Sequence, residues 1–149
     1  MFNISNQERL AVWRKFRQSL TPLSDEDKMK SVADFWSKAP RVNFYLNPEQ
    51  LQDWPDPWEL ITDNMYCDIA VALGMTYTLA LTDEFDVTRL KLQIMRSRQQ
   101  SLEVNLSIVD QGLYVLNYSQ NEVLNTSQLP KDLYSLYQFD YIDLNLKSL

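Results

Sequence analysis

The sequence predicts an α+β domain, because its 149 residues divide into a helical first half and a strand-forming second half. Apolar residues recur at helical spacing up to residue 81, and apolar and polar residues alternate from residue 90 onwards. Helices followed by an antiparallel meander are typical of α+β folds, whereas a parallel sheet needs strands and helices in alternation. A chain of this length fits one domain, so we expect residues 1–149 to form a single domain.

Two amphipathic helices are predicted at the start of the chain. Ser5, followed by Glu8 at the third position after it, has the spacing of a capping box and starts a helix over residues 6–20. Ser24 caps a second helix, with Asp27 in its first turn. Each helix has one apolar face, which we expect to lie against the core.

A short helix and then a long, buried helix are predicted next. Asp56, Pro57 and Glu59 supply an N-cap carboxylate, a proline at the first helical position and an acid at the third. This short helix should break near residues 62–64. The following helix starts at Cys67, and because residues 69–81 are apolar on nearly every face, it should run through the centre of the domain.

The remaining segments alternate between apolar and polar residues, which predicts β-strands. Asp110-Gln111-Gly112 has the composition of a three-residue hairpin loop between two of these strands. The predicted strands cover residues 41–46, 90–94, 102–108 and 114–118, with a further strand or pair near 122–124 and 137–142.

The composition argues against several kinds of partner. Fourteen Lys and Arg against twenty Asp and Glu give a net charge of −6, and nucleic-acid binding depends on basic residues that displace counterions, so we expect no nucleic-acid partner. The longest uncharged stretch, residues 69–82, is shorter than the roughly 20 apolar residues that span a membrane, so we expect no membrane partner. With only two glycines, a glycine-rich phosphate loop is not expected.

Cysteine and histidine usage limits the chemistry further. Cys67 is the single cysteine and the chain contains no histidine, so neither an internal disulfide nor a Cys/His metal cluster can form. We therefore expect no metal and no cofactor. Residues 1–5 have neither a basic nor an apolar region, so we predict no signal peptide and a location in the cytoplasm or in a virion.

A lone cysteine at the start of a buried helix, followed by an antiparallel sheet, resembles the arrangement in papain-like and transglutaminase-like thiol enzymes. Over most of its length the sequence resembles the bacterial transglutaminase-like cysteine proteinases, periplasmic enzymes that cleave large surface adhesins. The resemblance implies a transglutaminase-like fold, with N-terminal helices and a central buried helix packed on an antiparallel sheet. The matching segments are 54–60 for the family's Trp-Ala-Thr-Pro stretch, 65–69 for its Gly-Asp-Cys-Glu-Asp box, 101–104 for its histidine strand and 115–118 for its Val-Leu-Asp-Asn strand.

The same resemblance implies where the site would lie. Cys67 occupies the position of the family's nucleophile, Leu102 that of its histidine and Asn117 that of its acid. An apolar Leu102 cannot act as a base, and Asn117 cannot stabilise an imidazolium by charge. The family's calcium site uses acids around the cysteine, and of the two that follow the family's cysteine only Asp68 remains, so the resemblance does not carry a metal over to this chain.

Two functional hypotheses follow from these departures. The first is a catalytically inactive transglutaminase-like domain that serves as a structural or protein-binding component of a larger assembly, for which we take a bacteriophage particle as the leading example. The second is an active thiol peptidase or acyl-transfer enzyme that uses Cys67 with a base from a partner chain or from an unrecognised residue. The first hypothesis makes Cys67 a structural thiol, and the second requires an accessible, activated one.

Aromatic residues supply the candidate binding surfaces. Trp54 and Trp58 could line a peptide groove, since aromatic residues anchor interfaces, or they could pack the proline-rich loop onto the domain. A second aromatic group lies near the C-terminus and could form an exposed sheet edge that docks another chain, or pack in the core. It consists of Tyr134, Tyr137, Phe139 and Tyr141.

Overall fold

A computed structural model describes residues 1–144 of the chain. The helices are α1 (Asn6–Leu20), α2 (Asp25–Ser37), α3 (Pro57–Asp63), α4 (Asp68–Ala80) and α5 (Tyr141–Leu144). The strands are β1 (Leu90–Ser97), β2 (Glu103–Val109), β3 (Tyr114–Leu116), β4 (Val123–Leu124) and β5 (Leu133–Asp140). No helix within residues 1–144 is long and apolar enough to cross a membrane.

The strands form one antiparallel sheet in the order β4-β3-β2-β1-β5. The predicted α+β class is therefore confirmed, with helices in the first half and a meander in the second. Strand β2 lies at the centre of the sheet, while β5, eight residues long, and β4, two residues long, lie at its edges. A register shift opposite Ile94 and Met95 makes Leu136 an extra residue in β5, which is a β-bulge.

Local capping chemistry starts the helices where the sequence predicts. Asp56 accepts a hydrogen bond from the Glu59 amide at 2.8 Å, and the Glu59 carboxylate accepts one from the Asp56 amide at 3.1 Å, which completes a capping box. Asn64, at φ 53° and ψ 37°, adopts the left-handed conformation that ends α3. The predicted break at residues 62–64 is thus confirmed.

Helix α4 forms the centre of the hydrophobic core, and residues Ile69–Leu79 are buried all round it. The buried Thr78 hydroxyl donates to the main-chain oxygen of Gly74 at 2.6 Å. It also accepts from the indole nitrogens of Trp13 at 3.0 Å and Trp36 at 2.9 Å. One hydroxyl on α4 therefore satisfies a buried indole from each of α1 and α2 and fixes both helices against it.

Close packing explains the glycine in the middle of α4. A Cβ atom added at Gly74 would lie 2.5 Å from the ring of Trp36. That ring is itself held by neighbouring aromatic rings, at centroid distances of 5.6 Å to Phe2, 5.9 Å to Phe35 and 5.4 Å to Tyr66. Gly74 is therefore required by the approach of α2 rather than by backbone conformation.

Both faces of the central strand β2 are buried. Ser107 and Asn105 pair with Leu92 and Ile94 of β1 and share the face that packs on α4. The opposite face carries a smaller cluster in which Leu106, Ile108 and Val115 pack under residues of the 118–129 segment. The polar row of β2 thus points into the helix layer, where the Thr76 and Ser107 hydroxyls share a hydrogen bond of 2.8 Å.

The predicted strand over residues 41–46 is wrong. Arg41 makes an isolated parallel bridge with Tyr66, and the residues after it belong to no strand. The alternation has another cause, because Leu46 is buried and Phe44 packs against the core. Extended backbone with one buried row needs a neighbouring strand to become part of a sheet, and here it has none.

Several strand boundaries also differ from the prediction. The hairpin after β2 spans four residues rather than three, with positive φ at Asp110, Gln111 and Gly112. Strand β3 ends at Leu116, because Asn117 has φ 74° and turns the chain. The last strand begins at residue 133, before the predicted range, and residues 141–142 are helical instead of extended.

Candidate functional site

The candidate site lies at the N-terminus of α4, where Cys67 is the N-cap residue. The Cys67 backbone is extended, with φ −95° and ψ −179°, and its side chain makes no capping hydrogen bond. The thiol is partly exposed and is not bonded to another cysteine. The first amide groups of a helix have no main-chain partner, so the thiol lies next to a positive helix end.

The carboxylate of Asp68, the next residue, interacts with the polar side chains around this helix end. Its Oδ2 accepts a hydrogen bond from Nδ2 of Asn105 at 2.9 Å, and its Oδ1 lies 3.4 Å from Nδ2 of Asn117. The guanidinium of Arg41 forms an ion pair with Oδ1 at 3.6 Å. Because the Asp68 side chain is 48% exposed, water screens this ion pair and its contribution to stability is small.

Two asparagines bring the sheet to the start of α4. Nδ2 of Asn117 also donates to the main-chain oxygens of Asn105 at 2.9 Å and Asp68 at 3.3 Å, so the left-handed turn at Asn117 links β2, β3 and α4. The Asn105 side chain is 4% exposed, and among residues 1–144 its Oδ1 has no hydrogen-bond partner. It is one of five buried side-chain polar atoms without a partner among residues 1–144, and the hydroxyl of Tyr66, next to Cys67, is another.

Tyr66, on the other side of Cys67, is a structural residue. It is fully buried and packs edge-on against Phe2 and Trp36, with ring centroids 5.3 and 5.4 Å away. Burial raises the pKa of the Tyr66 hydroxyl, so the group stays protonated at neutral pH. Tyr66 therefore cannot take a proton from the neighbouring thiol.

The side chains that meet here do not make a thiol catalyst. A cysteine nucleophile needs a base that removes its proton and returns it to the leaving group. Besides the thiol, the site has one carboxylate, two amides and a guanidinium. An amide does not bind a proton at neutral pH and a guanidinium does not release one. The one carboxylate, that of Asp68, already accepts from the two amides and pairs with Arg41. Within residues 1–144 no hydrogen bond reaches the Cys67 sulfur.

The structure separates the predicted site residues. Asn117 lies at the start of α4, as described above. Leu102 lies in the connection between β1 and β2, with its side chain 59% exposed and its main-chain oxygen accepting from the Ser97 amide at 2.9 Å. The correspondence of Leu102 and Asn117 to the family's histidine and acid stays a prediction.

Sequence reasoning missed Asn105 and Arg41 as members of this cluster. Asn105 belongs to the polar row of β2, which the alternation alone would equally place towards solvent. A weak signal was present, because residues 104–109 carry no charge, although Asn105 and Ser107 are polar. Arg41 could not have been found, since its bridge to Tyr66 joins segments that are distant in sequence.

The two candidate groove tryptophans lie in different environments. Trp54 is 3% exposed, donates from its indole nitrogen to the main-chain oxygen of Asn47 at 2.8 Å and packs edge-on against Phe139. Trp58 is 52% exposed and touches Trp13 at a centroid distance of 6.0 Å. Trp54 is therefore a core residue in this conformation, and only Trp58 offers a ring to another molecule.

The acids around Cys67 do not fit a calcium site. Calcium takes six to eight oxygen ligands, several of them carboxylates. Within residues 1–144 no group of three or more His, Cys, Asp or Glu side chains could hold a metal ion. The Asp68 carboxylate faces amide N–H donors and a guanidinium, which occupy the positions that a cation would need.

A cavity lined by other residues lies away from this site. It has a volume of about 540 Å³ and lies where β1 begins and β5 passes into α5. Leu90 and Tyr141 supply apolar walls, while Lys91 and Asp140 supply opposite charges. Cys67 and its neighbours do not contribute to this cavity.

The antiparallel sheet packed on a central helix whose N-cap is a cysteine matches the transglutaminase-like fold of solved structures. Solved structures with the same fold include LapG of Legionella pneumophila in a calcium-bound form, which superposes with a TM-score of 0.73 at 17% sequence identity and covers 92% of this chain and 77% of LapG. Another LapG structure and an EGTA-treated one each give a TM-score of 0.69 at 19% identity, covering 90% of this chain and 74% and 73% of LapG. No family model matches the sequence, and no curated protein matches it either.

Proposed function

We propose that this protein is a transglutaminase-like domain without catalytic activity that acts by binding other proteins. The observation that carries the proposal is the set of groups around Cys67, in which the two sheet side chains that reach the start of α4 are the amides Asn105 and Asn117. The chain contains no histidine that an alternative arrangement could bring there. The solved structures contribute the fold, while the loss of activity is argued from these residues.

A binding role is supported by what the fold retains. The aromatic core, the helix caps and the Thr78 network are intact, so the domain keeps a stable scaffold without the groups that proton transfer needs. Trp58 is a large exposed aromatic residue of the kind that anchors interfaces. We extend the proposal to a component of a larger assembly such as a bacteriophage particle, in a cytoplasmic or virion location.

The second candidate, an active thiol enzyme, has one observation in its favour. Cys67 is partly exposed and is the N-cap residue of a 13-residue helix, whose first amide groups have no main-chain partner. A partner chain would then have to bring the base. A base typically contributes about 10²- to 10⁴-fold to the rate, so the isolated chain should be nearly inactive under this candidate as well.

Alkylation kinetics separate the two candidates, because Cys67 is the single thiol and gives an unambiguous signal. Iodoacetamide is reacted at pH 7 with the folded chain and with the same chain in urea. For a structural thiol we expect the folded chain to react no faster than the unfolded chain, since partial burial slows access. The Cys67→Ser variant, which should incorporate no label, is the control for reaction at other side chains.

A folded chain that reacts at least about tenfold faster than the unfolded one would contradict the proposal, because it would mean that the fold activates the thiol. In that case the chain would be assayed for peptide cleavage together with candidate partners. Turnover that the Cys67→Ser variant loses would establish the second candidate.

A further inference from the structure

The two edges of the sheet differ in how they are protected. Strand β4 forms one edge with only two residues, whereas β5 forms the other with eight. Natural proteins keep edge strands short, place charge and proline in them or add a β-bulge, because an open edge pairs readily with another chain. The β4 edge is short, whereas β5 is long and uncharged from Leu133 to Phe139, and of these devices it has the bulge at Leu136 alone.

The outer edge of β5 has free hydrogen-bonding groups. Every ladder partner of β5 lies in β1, on one side of the strand. Within residues 1–144 no other hydrogen bond reaches the main chain of residues 134–139. An antiparallel strand alternates its main-chain groups between its two sides, so about half of these groups point away from β1. The bulge at Leu136 interrupts the pairing with β1 at one residue and leaves the outer side open.

The sequence of this edge favours pairing. From Leu133 to Phe139 the strand has no charged residue, proline or glycine, and it contains three aromatic rings. Such a segment has the composition that adds readily to another strand. Its length corresponds to roughly 26 Å of extended chain, which is long enough for a full ladder.

The charges at the two ends of the strand indicate which partner it fits. Lys131 precedes β5 and Asp140 ends it, and both side chains are exposed. Asp140 also forms a long ion pair with Lys91 of β1 at 3.9 Å, in which its side chain stays 61% exposed and open to a second charge. Asp132 is already used inside the molecule, because it accepts hydrogen bonds from the Ser97 hydroxyl and, at 3.2 Å, from the Gln99 amide. Two copies of β5 in antiparallel orientation bring Lys131 of each near Asp140 of the other, whereas parallel copies would bring like charges together.

We infer that β5 pairs antiparallel with β5 of a second copy of this chain and forms a closed dimer with a continuous ten-stranded sheet. A two-fold axis through the contact makes it isologous. The β5 edge of each copy is then paired with that of the other, so assembly stops at the dimer. The net charge of −6 on each copy opposes association weakly, since charges beyond about 8 Å are screened at physiological salt, and the charges at the strand ends decide the orientation. This inference does not depend on the chemistry of Cys67.

Sedimentation equilibrium of the full chain at concentrations up to about 1 mM tests the inference, with charge-exchange variants. We expect a dimer for the native chain. Each of Lys131→Glu and Asp140→Lys should weaken dimerisation by about tenfold, since each change turns two attractions into repulsions. The double variant, Lys131→Glu with Asp140→Lys, should recover most of the native affinity. The control is Lys15→Glu, which makes the same charge change on the exposed side of α1 and should leave the dimer unaffected.

A second variant tests the strand itself. Ser135 is exposed in the middle of β5, so Ser135→Lys places a charge on each copy close to the axis and should give a monomer. A native chain that stays monomeric at about 1 mM overturns the inference and points to a strand of a different protein as the occupant of the edge. A dimer that tolerates Ser135→Lys and both single charge reversals also overturns it, as does open-ended assembly. Thermal melts confirm that each variant is folded.

Discussion

The two ends of α4 contrast in how their polar groups are satisfied. In its C-terminal half, the Thr78 hydroxyl makes three hydrogen bonds, to Gly74, Trp13 and Trp36, and all of these groups are buried. At its N-terminus, Asn105 is equally buried but leaves its Oδ1 without a partner among residues 1–144. The Asp68 carboxylate is half-exposed. It accepts hydrogen bonds of 2.9 and 3.4 Å from two asparagine amides and forms an ion pair with Arg41.

This contrast separates groups that the fold requires from groups that it merely accommodates. A buried network with complete hydrogen bonding fixes the position of helices, and removing one member leaves the others unpaired. A cluster that is partly wet and partly unsatisfied contributes little to stability, because water replaces what is removed. Residues of the N-terminal cluster can therefore be substituted, and an activity there lost or altered, without unfolding the protein.

The largest expected effect comes from Thr78→Val, which keeps the shape of the side chain and removes its hydroxyl. The indole N–H groups of Trp13 and Trp36 would then be buried without an acceptor. Each unpaired group costs about 1–3 kcal/mol, so we expect the free energy of unfolding to fall by about 4 kcal/mol. Urea unfolding followed by tryptophan fluorescence measures it.

The matched control for this variant is Thr62→Val, the same change at an exposed position near the end of α3. It should alter the free energy of unfolding by less than about 0.5 kcal/mol. If Thr78→Val is as mild as the control, the hydroxyl does not hold the two indoles and the contrast between the ends of α4 disappears.

A smaller loss is expected for Gly74→Ala, which tests how tightly α2 packs on the same half of α4. Helix propensity alone would stabilise the protein by about 1 kcal/mol. The added methyl would, however, lie 2.5 Å from the Trp36 ring, and overpacking costs about 1–3 kcal/mol. We expect a net loss of about 1 kcal/mol in urea unfolding, whereas a gain would show that the ring yields easily.

The smallest effect is expected at the N-terminal end, for Asn105→Leu. This change removes a buried oxygen that has no partner within residues 1–144 and one hydrogen bond to the half-exposed Asp68. Replacing an unsatisfied polar group by an apolar one of similar size is nearly neutral, so the free energy of unfolding should change by less than about 1 kcal/mol in either direction. A loss above about 2 kcal/mol would mean that Asn105 is as structural as Thr78.

The sequence predicted the features whose interactions lie between residues close together in the chain. The box of Asp56 and Glu59 and the cap at Ser24 involve neighbours within one helical turn, and the structure confirms both helix starts. The alternation in residues 41–46 is equally local, but a strand exists only with a partner, and the segment has just the single bridge from Arg41 to Tyr66. A pairing partner that is distant in sequence leaves no local trace, unlike the partner across a hairpin loop.

The candidate site shows the same division. The position of Cys67 at the start of a buried helix follows from composition and periodicity, which are readable along the chain. The arrival of Asn105 and Arg41 beside it depends on how β2 lies on α4 and on the bridge at Tyr66. The exposed position of Leu102 likewise depends on where β2 begins, which alternation defines only to within a few residues.

The burial of β2 on both faces has a practical consequence for amide hydrogen exchange. Ser107 and Val109 are fully buried where β2 is paired with both β1 and β3, so their amides can meet solvent only when the whole domain opens. Their exchange rates in deuterated native buffer therefore report the global opening free energy directly, without extrapolation from denaturant. The central strand is thus an internal reference against which looser motions elsewhere in the chain can be timed.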